Sequence, residues 1–185
     1  MLKVIKDYCM VLELDEKDLE AVKNYRLPSY EEIPDVGLYL NQTATYINRY
    51  LSVFPSFSIT ESMISNYVKK KLIGNPVKKQ YSREMICYLL FIALCKNVAS
   101  LDDIQLLIML QKENKHEVKA SYEFFKKEFE SILRSIFGIE DGDDGEKEER
   151  SVEAELLEKL IAAIAHKIYV DSAFRVLREN KSESK

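Results

Sequence analysis

The chain has 185 residues, 46% of them hydrophobic and 31% charged, and a formal net charge of −4. That length suits one domain, or one domain with a small appendage, and buries about two-thirds of the unfolded surface without a metal or disulfide staple. The composition excludes wholesale disorder, and five glycines with four prolines are too few for a turn-rich all-β fold.

In chain order, Asp15 caps a predicted helix over Glu16–Tyr25, which Pro28 ends because proline disfavours helix in the residue before it. After Pro34-Asp35 a second helix is predicted over Val36–Leu51, and Pro55 marks Phe54–Ser58 as a loop. Thr60 opens the next helix, with Ile64, Tyr67, Val68 and Leu72 as its buried stripe; Gly74 and Pro76 end it. Val77–Ser82 is too short for another helix. Ser82 then caps a helix over Arg83–Asn97 that is apolar nearly all round, and so central to the core.

Ser100 caps a helix over Leu101–Leu110, and two longer helices follow, over Glu117–Phe137 and Val152–Arg178. Their apolar stripes are wider than a lone surface helix needs, which fits either an intramolecular core or a dimer interface. Between them the segment Glu140–Arg150 carries seven acids, two bases and no apolar residue, the composition of a mobile, solvated loop. Its aspartates do not meet the twelve-residue calcium-loop pattern.

Three cysteines, Cys9, Cys87 and Cys95, are too few and too scattered for a disulfide framework. Met1–Asp7 carries charges where a secretory leader is apolar, and the longest strongly apolar stretch, Met85–Cys95, has 11 residues against about 20 for a bilayer span. The expectation is a cytoplasmic protein without a membrane partner. His116 and His166 stand apart from any nucleophile or metal-ligand spacing, no glycine-rich phosphate loop is present, and Cys87 and Cys95 form no C-x-x-C pair. Neither an enzyme, a metal nor a cofactor is expected.

The informative stretch is Ile59–Ile108. From Thr60 to Arg83, six cations (Lys69, Lys70, Lys71, Lys78, Lys79 and Arg83) face only Glu61, a local net charge of +5 on an acidic chain. Nucleic-acid affinity rests on phosphate contacts, which need cations clustered in this way. The first half of the helix offers short polar side chains, among them Thr60, Ser62, Ser65 and Asn66, that suit base edges in a major groove.

The order of elements resembles the winged helix-turn-helix of the MerR regulators. Their pattern V-S-x-x-T-L-R-Y-Y-x-x-x-G-L-L lies without gaps on Ile59–Ile73, and their wing ending R-x-Y-S is similar to Lys79-Gln80-Tyr81-Ser82. The resemblance implies that Thr60–Leu72 is a recognition helix and Val77–Tyr81 a short wing. Phosphate contacts are expected from Lys69, Lys70, Lys71, Lys78 and Lys79, while Tyr67 and Tyr81 either reach phosphates through their hydroxyls or, the favoured role, pack the wing against the helix with the hydroxyl wet. The sequence departs from that pattern at Ser65, Asn66 and Lys71, where the family has arginine, tyrosine and glycine.

Over Tyr25–Ile108 the chain also resembles a bacterial family, the domain of unknown function numbered 1836, through Arg26-Leu27-Pro28 and the run Ile33–Gln42. Together the two resemblances imply an all-α protein with a MerR-like winged helix-turn-helix followed by a helical hairpin or bundle. The division expected is a helical arm at 1–28, the helix-turn-helix domain at 29–112, and a helical region at 113–180 with its acidic loop at 140–150. The function implied is a DNA-binding transcriptional regulator of double-stranded DNA, homodimeric through the C-terminal helices. Ser65 in place of arginine, and the acidic total charge, favour a rival: a helical protein-interaction module that keeps the fold without binding DNA.

Overall fold

A computed structural model describes residues 16–113, 116–139 and 152–183. Asp15, Cys9 and the acidic loop at 140–150 lie outside the described residues. Among the described residues seven α-helices follow in chain order: α1 (Glu16–Lys23), α2 (Leu40–Leu51), α3 (Glu61–Lys69), α4 (Arg83–Cys95), α5 (Leu101–Glu113), α6 (Val118–Ile136) and α7 (Val152–Glu183). The sheet among the described residues has two strands, β1 (Leu38–Tyr39) and β2 (Gln80–Tyr81). The fold class is therefore all-α.

The core is built around α4. Ser82 caps it by accepting the Met85 N–H, and eight of its thirteen residues are buried, Ile86 to Cys95. A helix apolar on every side needs cover on every side. One flank is supplied by α2, and the other by α6 and α7, which also pack on each other. From α6 come Tyr122, Phe125, Phe129 and Leu133, with Phe125 edge-on to Phe91 at 5.1 Å; from α7 come Ile161, Ile164, Ala165 and Ile168. Each such aliphatic or aromatic side chain contributes about 1.5–3 kcal/mol on burial.

The segment between α1 and β1 is fastened to α6 by polar contacts. Glu130 accepts the Leu27 N–H at 2.7 Å, Tyr122 donates its hydroxyl to the Pro28 carbonyl at 2.7 Å, and Glu123 accepts the Tyr30 N–H. A chain that runs as coil against a helix must find partners for its backbone groups, and these three side chains supply them.

Helix ends differ from the sequence expectation where tertiary contacts intervene. The helix expected over Glu16–Tyr25 stops at Lys23, and the Tyr25 ring turns inward between Phe54 (4.8 Å) and Phe129 (6.1 Å). The helix expected from Val36 starts at Leu40, because Leu38 and Tyr39 pair antiparallel with Tyr81 and Gln80. Gly37 permits that pairing: a Cβ there would lie 2.6 Å from the Cβ of Gln80. Similarly α4 ends at Cys95 rather than Asn97, as Lys96 and Asn97 turn to loop carbonyls. Among the described residues no helix is long and apolar enough to cross a membrane.

Candidate nucleic-acid interface

The start of α3 is set by a single amide. Asn48, on α2, donates to the Ile59 carbonyl and accepts the Ile59 N–H, both at 2.8 Å. One residue later, Thr60 is the N-cap, and its hydroxyl accepts the Met63 N–H at 3.2 Å. The nine-residue connection Ser52–Thr60 is also held by the turn that follows α4, where Lys96 donates to the Ser58 carbonyl and Asn97 to the Ser56 carbonyl. With Ile64 and Tyr67 buried against the core, α3 has one face left for solvent.

That face carries the expected polar set. Ser62, Ser65, Asn66 and Lys69 recur at i, i+3, i+4 and i+7, so they share one side of the helix. Ser62, Asn66 and Lys69 are exposed and Ser65 is half-buried. Tyr67 and Tyr81 are only 3% and 5% exposed. Their rings belong to the core, and burial raises both phenol pKa values.

The helix expected to reach Leu72 ends at Lys69 in a Schellman turn. Leu72 N–H donates to the Tyr67 carbonyl and Lys71 N–H to that of Val68, both at 3.0 Å. Such a turn places the residue after the cap in the left-handed region, usually as glycine. Here it is Lys71, with φ +59°. The MerR pattern has its glycine at this position.

The hairpin that follows repeats the anomaly. Val77 and Gln80 exchange both backbone hydrogen bonds (3.1 and 2.9 Å), closing a two-residue hairpin with Lys78 and Lys79 at its tip. Their φ values are +50° and +65°, the type I′ geometry that Asn-Gly adopts cheaply. Three lysines thus occupy left-handed backbone positions, each at about 1–2 kcal/mol relative to the right-handed region.

All five lysines, Lys69, Lys70, Lys71, Lys78 and Lys79, are exposed, and none has an ion-pair partner among the described residues. They stand in two groups, at the end of α3 and at the hairpin tip, and both α3 and β2 pack on α2. Arg83 does not join them, which corrects its inclusion in the cationic run. Its Nε donates to the Ile33 carbonyl at 2.7 Å, its Nη1 pairs with Glu31 at 3.0 Å, and its guanidinium covers the Tyr30 ring.

Among the described residues, no group of three His, Cys, Asp or Glu side chains stands where it could hold a metal ion. Burial pushes the Cys87 thiol up to about 12 and the Cys95 thiol well above its usual value, so both stay protonated and unreactive.

Residues 28–129 match the family described as Domain of unknown function (DUF1836). The chain belongs to that family. The DUF1836 match starts at Pro28 and ends at Phe129, so it takes in two of the three contacts that fasten the coil to α6, Tyr122 with Pro28 and Glu123 with Tyr30, and stops one residue short of Leu27 and Glu130. All the candidate interface residues, from Thr60 to Tyr81, fall inside it. No curated protein and no solved structure matches the chain.

Sequence reasoning missed Asn48 and the strand register. Asn48 sits one turn from the end of α2 among other small polar residues, and nothing in its spacing marks it. Gly37 was the available signal for β1, as an isolated glycine directly before an apolar pair.

Proposed function

We propose that this DUF1836 protein is a DNA-binding transcriptional regulator with a MerR-like winged helix-turn-helix. The observation that carries the reading is the left-handed backbone at Lys71, Lys78 and Lys79. Glycine or asparagine would occupy those positions at lower cost, so stability does not account for lysine at any of them. What lysine adds is a cation at the end of a polar helix and at the tip of a hairpin, where a phosphate backbone would meet it.

In this reading α3 enters the major groove, which at about 12 Å wide admits a helix. Ser62, Ser65 and Asn66 face the base edges, and Lys69, Lys70 and Lys71 hold phosphates at the groove's rim. The hairpin lysines reach the flanking backbone, while Tyr67 and Tyr81 position the helix and wing rather than touch DNA. Two such units on a homodimer, joined through the C-terminal helices, would read half-sites about 34–36 Å apart.

Replacing the hairpin tip tests the reading. Lys78→Asn with Lys79→Gly restores the favoured turn and removes two cations. The double variant unfolds at higher temperature than the wild type and binds duplex DNA with a salt slope smaller by about 2. An unchanged slope contradicts the proposal.

A further inference from the structure

A cavity of about 380 Å³ lies between α4, α5, α6 and α7. Cys87 and Phe91 of α4, Leu107 and Ile108 of α5, Phe125 of α6 and Leu157 of α7 form its principal walls. Its size falls in the range of small-molecule sites, about 300–1,000 Å³.

Most polar groups at the wall are already used, which leaves the Ser121 hydroxyl and the His116 imidazole to meet a guest. Tyr88 donates its hydroxyl to Gln111 Oε1 at 2.8 Å, Gln111 Nε2 donates to the His116 carbonyl, and Tyr122 donates to the Pro28 carbonyl at 2.7 Å. Burial keeps the Cys87 thiol neutral. Lys112 stays outside the wall, its ammonium 5.3 Å from the centroid of the Tyr88 ring. A charged or strongly polar guest would therefore lose its hydration for few partners, whereas an apolar guest meets a wall made mostly of carbon.

We infer that this cavity is a binding site for an uncharged, predominantly apolar small molecule. The site is concave, and four helices contribute to it, so a guest there sits in a half-open cleft rather than on a flat face. One of the four is α4, whose first turn directly follows β2 and the lysine hairpin. The inference stands whether or not the chain binds DNA.

The test is titration with N-phenyl-1-naphthylamine, an uncharged apolar dye, and with its anionic relative 1-anilinonaphthalene-8-sulfonate. The expected result is saturable, blue-shifted fluorescence at one neutral dye per chain, at least tenfold tighter than the sulfonate. Ser121→Phe on α6 and Leu107→Trp on α5 fill the cavity from two sides and weaken the neutral dye at least tenfold. Val36→Ser, at an exposed apolar position outside the wall, leaves binding unchanged.

Absence of saturable binding by the folded wild type overturns the inference. So does tighter binding of the sulfonate, or equal binding by a filled variant that keeps its helical circular dichroism. Loss of dye binding as the chain self-associates, followed by sedimentation, also overturns it, because a second copy would then cover the cavity. The comparison of the two dyes on wild type decides the matter even if both filled variants unfold.

Discussion

The carboxylate of Glu130, on α6, accepts the backbone N–H of Leu27 at 2.7 Å across 103 residues of chain. Glu130 is 9% exposed and also pairs with Lys126 at 3.3 Å, so the contact is buried and charge-assisted. Glu130→Ala orphans the Leu27 N–H and lowers stability by about 1–3 kcal/mol in urea unfolding. Glu130→Gln keeps an acceptor and loses less.

Close by, the Tyr25 hydroxyl is buried without a hydrogen-bond partner among the described residues, and burial raises its pKa far above the usual phenol value. Tyr25→Phe removes a desolvated, unpaired polar group while keeping the ring between Phe54 and Phe129. The variant is expected to gain about 1 kcal/mol in the same measurement. A loss of that size would mean the hydroxyl has a partner.

Lys71→Gly separates strain from charge. Glycine takes φ +59° without penalty, so the midpoint of thermal unfolding rises, by an amount corresponding to about 1 kcal/mol. The same change removes one cation from the end of α3, and the salt slope of DNA binding falls by about 1. Stability and binding move in opposite directions only if the lysine is there for its charge.

Asn48→Ala tests how α3 is positioned. The change leaves the Ile59 N–H and C=O without their partners and costs about 1–3 kcal/mol. It touches no cation, so DNA affinity falls while the salt slope stays at the wild-type value.

Acid stability should follow Glu32. Bidentate hydrogen bonds from Arg26 (2.7 and 2.9 Å), and after them the Ser29 N–H, hold its carboxyl down from 4.5 to about 2. A depressed carboxylate stabilises the fold fully above pH 4.5, and that contribution disappears as pH falls from there towards 2. Glu31 shifts in the same direction, chiefly through its hydrogen bond from Lys119. In a pH series of thermal unfolding, Glu32→Gln loses stability at neutral pH and flattens the acid limb.

What the sequence made legible were features carried by local chemistry. Ser82 and Thr60 mark helix starts because a hydroxyl cap needs only the next turn, and α4 is evident as central because its apolar residues leave no polar face. The strand Leu38–Tyr39 was hidden because two residues show no period and its partner lies beyond two helices. The lysine run was legible as charge, yet its division was not: Arg83 follows the same cationic composition but is committed to Glu31 and the Ile33 carbonyl. The left-handed lysines were visible only as a lysine where the MerR pattern has glycine, since φ is set by the Schellman turn and the hairpin bonds.

The most direct test of the account is binding of a random-sequence duplex over about 50–200 mM salt, for wild type and Lys69→Glu/Lys78→Glu. Phosphate neutralisation gives a slope of about −0.9 per contact in log K against log salt, so five lysines predict about −4.5, shrinking by about 2 in the double variant. A folded wild type that fails to bind duplex DNA even at low salt would contradict the account and leave the helical protein-interaction module in its place.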